Sequence, residues 1–232
     1  SSLPTLWRRP PADVRRGANL TQMVAISFHT LDAYGFHALE MVQCLAERRT
    51  GGETGVRQVR CLSGNRVWEA LANGTIDEGL LQAAVVPLEG SPVKRENRSL
   101  MELAKEPTAM IVDYRDGFRA SILTLNGAVN EWSVAWHEDG DTKATMFWTQ
   151  EARPFMHFTY LVKGTEQMFH TGKPSWPAER TLYTSAILDA ALISLKRGGT
   201  AVPTPYLDIP YQSDWNWQQP PPPPPGRPIH EK

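Results

Sequence analysis

The fold of this chain is decided by residues 31–49, LDAYGFHALEMVQCLAERR. Apolar residues recur there with the spacing of one buried helical face, and these are Tyr34, Ala38, Met41, Val42 and Leu45. Gly35 would cost about 1 kcal/mol relative to alanine inside a helix, so we predict a close approach to the backbone at that position. The stretch is therefore predicted to be an amphipathic helix that packs on the core.

The same stretch holds the first candidates for chemistry. His37 lies three residues before Glu40, so a helix places the imidazole and the carboxylate on neighbouring turns of one face. An imidazole that titrates near neutral pH can act as a general acid or base. A core histidine held by a local carboxylate would have the same spacing. Both interpretations remain open at this point.

Composition limits the classes of partner. The chain has 232 residues, with 41% hydrophobic and 21% charged residues, as globular proteins have. Its 24 basic and 25 acidic residues give a net charge of −1, and the basic residues form short clusters, so we expect no nucleic-acid partner. The two cysteines, Cys44 and Cys61, predict buried free thiols rather than a disulfide framework. No apolar run approaches the roughly 18 residues needed to cross a membrane, and no signal-peptide pattern opens the chain, so we expect no membrane contact and a cytoplasmic location.

The chain divides into three predicted parts. Residues 1–21 form an extended lead-in, because proline biases the preceding residue towards extended geometry. Residues 22–210 form an α+β domain. Residues 211–232 contain six consecutive prolines and are expected to be a disordered polyproline II tail outside the core. Because the chain starts with SSLP rather than an initiation or targeting sequence, we expect it to be the C-terminal piece of a longer protein.

Two hairpins supply the clearest strand signals. Residues 108–114 and 118–125 flank Arg115-Asp116-Gly117, and Asp-Gly between apolar runs is a strong hairpin signal. Residues 131–136 and 142–149 repeat the pattern, so we predict a four-strand meander. Further strands are expected at 22–28 and 56–62. Helical segments are expected at 64–86, with a break near Asn73-Gly74, and at 157–171 and 177–197. We therefore predict an α+β fold with an open, mainly antiparallel sheet and helices packed on one face.

Several catalytic patterns are absent from the sequence. It contains no G-x-G-x-x-G, H-E-x-x-H or G-x-S-x-G motif, and its six histidines are scattered. We therefore expect neither a metal site nor a nicotinamide site in this chain. Arg8 and Arg9 follow Trp7, and their guanidinium groups could bind a carboxylate or phosphate of a substrate, or anchor another domain.

The segment Gly35-Phe36-His37-Ala38-Leu39-Glu40 resembles the G-x-H-x-x-D segment of the glucose–fructose oxidoreductase / inositol dehydrogenase (Gfo/Idh/MocA) family. The order of elements over residues 22–210 is also similar, including Thr-Gly-Lys-Pro at 171–174 and Val-Pro-Thr-Pro at 202–205. The resemblance implies a C-terminal substrate and oligomerisation domain of an NAD(P)-dependent oxidoreductase. Its substrate would be a sugar, polyol or related hydroxy compound.

The resemblance also implies roles for residues. His37 would be the catalytic residue that relays the hydroxyl proton, while Glu40 and Asp32 join Arg8 and Arg9 as candidate substrate-binding residues. The family places an acid four residues before the histidine, where this chain has Ala33. NAD or NADP would bind a missing N-terminal Rossmann domain, and the open sheet face would form a homo-oligomer.

Two other interpretations remain open. The domain could be a non-catalytic binding or oligomerisation module, as its tryptophan-rich strands, Ala33 and proline tail suggest. In that case the prolines with Arg227 could bind an aromatic groove. It could also be a hydrolase or lyase that acts on a sugar through His37 and Glu40 alone.

Overall fold

The computed structural model describes residues 1–150, 152 and 154–226. That part contains eight strands, which are β1 Trp7–Arg9, β2 Leu20–Ser27, β3 Val56–Ser63, β4 Thr108–Tyr114, β5 Arg119–Thr124, β6 Trp132–Glu138, β7 Asp141–Trp148 and β8 Val202–Pro203. It also contains seven α-helices, which are α1 Phe36–Ala46, α2 Asn65–Ala72, α3 Glu78–Val85, α4 Pro92–Arg95, α5 Leu100–Leu103, α6 His157–Thr171 and α7 Ala178–Lys196. The predicted α+β class is confirmed.

The strands form one sheet in the order β1-β7-β6-β2-β5-β4-β3-β8. Neighbouring strands are antiparallel except β2 and β5, which run parallel. The two predicted hairpins form, but β2 lies between them, so the predicted meander is interrupted. Val24, Ala25 and Ile26 are buried, and a strand with apolar residues on both faces belongs at the centre of a sheet.

Helices cover both faces of this sheet, whereas the sequence predicted them on one. Met110 and Ile122 pack in the core beneath α1 and α7, while Ile111 and Leu123 pack in a second core with α2 and α3. Alternate residues of the central strands are apolar on both sides, so both faces must be buried. The sheet face that we expected to be open for homo-oligomerisation therefore carries α2 and α3.

The stretch at 31–49 begins with one π-helical turn, Leu31–Gly35, and continues as α1. Thr30 caps it, because its Oγ1 accepts a hydrogen bond from the Ala33 N–H. A Cβ at Gly35 would lie 2.8 Å from Cδ1 of Leu188 on α7. The predicted close approach at Gly35 is therefore confirmed, and it is made by α7.

Residues 1–21 and 211–226 differ from the predicted lead-in and tail. Trp7 is buried, and β1 is the edge strand beside β7. The indole of Trp217 donates to the Leu6 carbonyl at 2.7 Å, and the indole of Trp7 donates to the Pro221 carbonyl at 2.9 Å. An edge strand has unpaired backbone groups that a second segment can cover, and the proline-rich segment does so here. Residues 227–232 of the predicted tail, including Arg227, lie outside the described residues.

Two sequence expectations concern small features. Cys44 and Cys61 are free and buried, as predicted, and burial raises the pKa of each thiol to about 12. In the described ranges, no helix combines the length and apolarity needed to cross a bilayer.

Candidate functional site

The candidate site lies where β2 ends and the chain turns into the helix at 31–49. His29 has a φ of 70°, which is uncommon for a residue other than glycine. Asn126, which follows β5, holds this turn from both sides: its Oδ1 accepts from the His29 N–H, and its Nδ2 donates to the His29 carbonyl at 2.7 Å. Since β2 and β5 are parallel, their ends lie at the same sheet edge, and this brings the two loops together.

His37 lies half-buried in an aromatic cluster beside this turn. We define the aromatic cluster as Phe28, His29, Tyr34, His37 and Trp132. The Tyr34 ring is 5.9 Å from the His37 ring and 5.2 Å from the Trp132 ring, and His29 stacks on Tyr34 at 4.7 Å. Burial lowers the pKa of His37, so its imidazole is neutral at pH 7. Its Nδ1 shares a hydrogen bond of 3.0 Å with the Ser1 hydroxyl.

A neutral imidazole at this position can accept a proton from a hydroxyl group and return it. The rings around His37 offer apolar contact to the carbon skeleton of a ligand, as many small-molecule sites do. The arrangement is thus suited to proton transfer on a hydroxyl-bearing molecule.

Glu40 is not part of this site. It is 3% exposed, and its Oε1 accepts a hydrogen bond from the Thr184 hydroxyl of α7 at 3.1 Å. Burial raises the pKa of Glu40. The two side chains differ by only about 60° around the helix axis. Even so, Glu40 contacts Thr184 of α7, whereas His37 lies beside Trp132. The predicted roles of Glu40 in substrate binding and as a partner of His37 conflict with this placement, and a hydrolase or lyase acting through that pair loses its support.

Arg8 and Arg9 are also engaged elsewhere. Arg8 is fully buried, forms an ion pair with Asp13 at 2.6 Å, and lies between the rings of Phe147 and Trp217 at 4.9 and 4.3 Å. Arg9 lies 3.6 Å above the Trp148 ring and pairs with Glu89 at 3.1 Å. Neighbouring strand residues point to opposite faces, so the two guanidinium groups do not act together. Both guanidinium groups contact other residues of this chain, and these contacts hold β1 in place.

Asp32 remains exposed and lines a groove of about 520 Å³ next to the aromatic cluster. His29 belongs to both the groove and the cluster, and it therefore connects them. Glu106 and Asn126 also line the groove. Sequence reasoning missed His29, Glu106 and Asn126, because they come from three separate loops that only the sheet brings together.

The described residues do not offer a site for a metal ion. Among them, no three His, Cys, Asp or Glu side chains are grouped closely enough to hold one. No strand of the sequence is followed by the glycine-rich turn that binds a dinucleotide, so no residues of this chain are assigned to a nicotinamide cofactor.

The chain resembles several solved structures at low identity. A myo-inositol dehydrogenase from Corynebacterium glutamicum matches with a TM-score of 0.43 and 11% identity, over 80% of this chain and 56% of that one. A scyllo-inositol dehydrogenase from Lactobacillus casei, with bound NAD(H) and scyllo-inositol, matches with a TM-score of 0.44 and 10% identity, over 80% of this chain and 56% of that one. A myo-inositol 2-dehydrogenase from Lactobacillus plantarum matches with a TM-score of 0.46 and 11% identity, over 80% of this chain and 57% of that one.

The chain thus spans 56–57% of the length of these three structures. No protein-family model matches the chain, and no curated protein matches it. TM-scores below 0.5 at identities near 11% are too low to assign a function or a family membership to this chain.

Proposed function

We propose that this chain is the substrate domain of an NAD(P)-dependent oxidoreductase that acts on a sugar, a polyol or a related hydroxy compound. The proposal includes an N-terminal Rossmann domain that precedes these residues in the full-length protein. The observation that carries it is His37: a half-buried imidazole with a lowered pKa, in a G-x-H-x-x-E segment at the start of α1, beside the turn that follows the central strand β2.

In this proposal the nicotinamide, when bound by the Rossmann domain, accepts or donates the hydride. His37 holds the proton of the reacting hydroxyl and transfers it. Tyr34 and Trp132 contact the carbon skeleton and exclude water from it. His29 and Asp32, at the boundary of the groove, bind the remaining hydroxyl groups, because carboxylate and imidazole accept hydrogen bonds from them.

The test uses the full-length protein with its upstream sequence. Reduction of NAD and NADP is measured spectroscopically with a panel of sugars and polyols. We expect His37→Asn to lower kcat by about 100-fold or more while the circular dichroism spectrum is retained. Glu40→Gln is the matched control on the same helix, and it should keep the wild-type rate. An upstream sequence without a Rossmann domain, or a His37→Asn protein with unchanged kcat, would contradict the proposal.

A second candidate function rests on Ala33. The family that this segment resembles has an acid there, and Ala33 is exposed in this chain, with no carboxylate in its place. The alternative is a binding or oligomerisation module that has lost the chemistry. If this alternative holds, the full-length protein does not turn over any of the panel, and Ala33→Asp, which restores the acid, gives measurable turnover.

A further inference from the structure

A second groove lies between α6 and the segment at 215–218, away from the aromatic cluster. Its volume is about 490 Å³. One wall is a single face of α6, formed by Tyr160, Lys163, Gly164 and Gln167, which recur at helical spacing. The other wall contains three tryptophans, which are Trp176, Trp215 and Trp217. We call this the tryptophan groove.

Three of the eight tryptophans of the chain are therefore partly exposed in one place. Tryptophan is usually well buried, and grouped exposed apolar surface indicates a site of interaction. Arginine side chains lie over two of these rings. Arg8 covers Trp217 at 4.3 Å, and Arg180 covers Trp215 at 4.9 Å, so each ring has one face occupied by a cation of the fold.

The position of Trp176 depends on Gly164, which has no side chain. A Cβ at Gly164 would collide with its indole ring, so glycine in the middle of α6 allows the ring to lie against the helix backbone. The Ser175 hydroxyl donates to the Gly164 carbonyl at 2.5 Å and fixes the loop that carries Trp176. Glycine destabilises the interior of a helix, and at position 164 its lack of a side chain leaves room for the Trp176 ring in the wall of the groove.

The polar side chains of the groove complete its chemistry. Lys163 and Gln167 are exposed, and they form no side-chain hydrogen bond or ion pair with the described residues. None of the described residues that line the groove is acidic. A cationic ligand would therefore meet Lys163 without a compensating carboxylate. A nucleic-acid strand would need a series of basic residues for its phosphates, and Lys163 is the only basic residue among those that line the groove.

We propose that the tryptophan groove is a binding site for an uncharged saccharide. A pyranose ring has one apolar C–H face that stacks on an indole, and hydroxyl groups around its edge that bond to amide and ammonium groups. A volume of about 490 Å³ accommodates one or two such rings. This site is independent of the oxidoreductase proposal, because none of its residues belongs to the aromatic cluster or to the groove of Asp32.

The test measures binding by this chain with cellobiose and, separately, maltose as probes. The indole N–H signals of ¹⁵N-labelled protein are followed by NMR during titration. We expect the signals of Trp176, Trp215 and Trp217 to shift. The dissociation constant should be about 1 mM, because the saccharide makes few contacts with the groove. The Trp68 signal should not shift, because Trp68 lies on α2 across the sheet.

Two variants test the assignment without removing a tryptophan. Gln167→Ala removes an exposed side chain, and Gly164→Ala displaces Trp176; each is expected to weaken binding at least fivefold. Phe169→Ala is the matched control, because Phe169 is 80% exposed on α6 and does not line the groove. The proposal would be overturned if neither disaccharide shifted the indole signals, or if all three variants bound with equal affinity. It would also be overturned if adenosine or tetramethylammonium shifted the indole signals in place of the saccharides.

Discussion

Arg180 and Glu47 form a two-point ion pair between α7 and the residue that follows α1. Arg180 Nε is 2.9 Å from Glu47 Oε2, and Nη2 is 2.5 Å from Oε1. Both side chains are at most 1% exposed. The Tyr211 hydroxyl also donates to Glu47 Oε2 at 2.9 Å, so the pair connects the two helices to the segment that leads into the proline-rich region.

We expect Arg180→Met to destabilise the fold by about 3–5 kcal/mol, because it leaves the Glu47 carboxylate buried without its partner. Urea unfolding followed by circular dichroism measures the change. Arg180→Met combined with Glu47→Leu should recover most of the loss, since no unpaired charge remains. Arg15→Ala breaks the exposed pair with Asp139 and is the matched control, with no expected change in the unfolding midpoint.

Glu40→Gln is expected to keep or increase the free energy of unfolding at pH 7. The amide oxygen can still accept the hydrogen bond from Thr184, and the burial that raises the pKa of Glu40 no longer opposes a charge. Because the folded-state pKa lies above the unfolded value of about 4.3, the carboxyl ionises more readily in the unfolded chain. The free energy of unfolding of the wild type therefore falls as pH rises above about 4.3, and Glu40→Gln should not show this fall.

The measurement for Glu40 is a series of urea unfolding curves from pH 4 to pH 8. Glu179→Gln, on the exposed surface of α7, serves as the control with unchanged pH dependence. A Glu40→Gln protein that is clearly less stable than wild type at pH 7 would show that the ionised carboxylate stabilises the fold.

His37 is expected to give the opposite pH dependence. Burial lowers its folded-state pKa below the unfolded value of about 6.5. Protonation is then easier in the unfolded chain, so the contribution of His37 to stability is complete above about pH 6.5 and is lost as pH falls below it.

NMR titration of the His37 ring protons should place its midpoint below about 6.5. His37→Gln should reduce the loss of stability on acidification, measured by thermal unfolding between pH 5 and pH 7.5. His170→Gln removes an exposed histidine from the end of α6 and should leave that loss in place. A midpoint at or above about 6.5 for His37 would contradict the burial argument.

Deletion of residues 218–232 is expected to lower the melting temperature and to cause association. The deletion removes the carbonyl that the Trp7 indole binds, and the Gln219 side chain that accepts from the Arg8 N–H at 3.2 Å. The unpaired edge of β1 is then free to pair with a second chain. Light scattering after size-exclusion chromatography measures the association.

A finer variant pair tests how the prolines pack. Pro220 is buried and Pro223 is half-buried, at the three-residue repeat of a polyproline II helix. Pro220→Ala with Pro223→Ala should lower the melting temperature. Pro222→Ala with Pro225→Ala changes two exposed prolines and should lower it less. Equal effects of the two pairs would show that no single face of the segment is packed.

Local elements could be predicted from the sequence where the signal is itself local. The helix predicted at 157–171 has those bounds in the structure, because Gly172 adopts a φ of 67° and ends it. The hairpin around Asp116-Gly117 forms between β4 and β5, with Gly117 at a φ of 92°. Gly35 was correctly predicted to meet a close neighbour, although nothing in the sequence identified Leu188.

The candidate site could be predicted only in part. His37 was found because a histidine inside an amphipathic helix is visible in the sequence. Its partner was not, since Glu40 contacts Thr184. Of the rings beside His37, Tyr34 comes from the π-helical turn before α1 and Trp132 from the distant strand β6. Arg8 looked like a free cation, and its burial between Phe147 and Trp217 depends on a segment more than 200 residues away.

The amino-acid sequence by itself determined the α+β class, the position of most helices and strands, and the imidazole of His37. These depend on periodicity, turn residues and capping, which act within about ten residues. The tertiary structure decided the place of β2 between the two hairpins, the helices on both sheet faces, and the contact of residues 211–226 with β1. Those features depend on which apolar surfaces meet, and pairing between distant segments has no local signal in the chain.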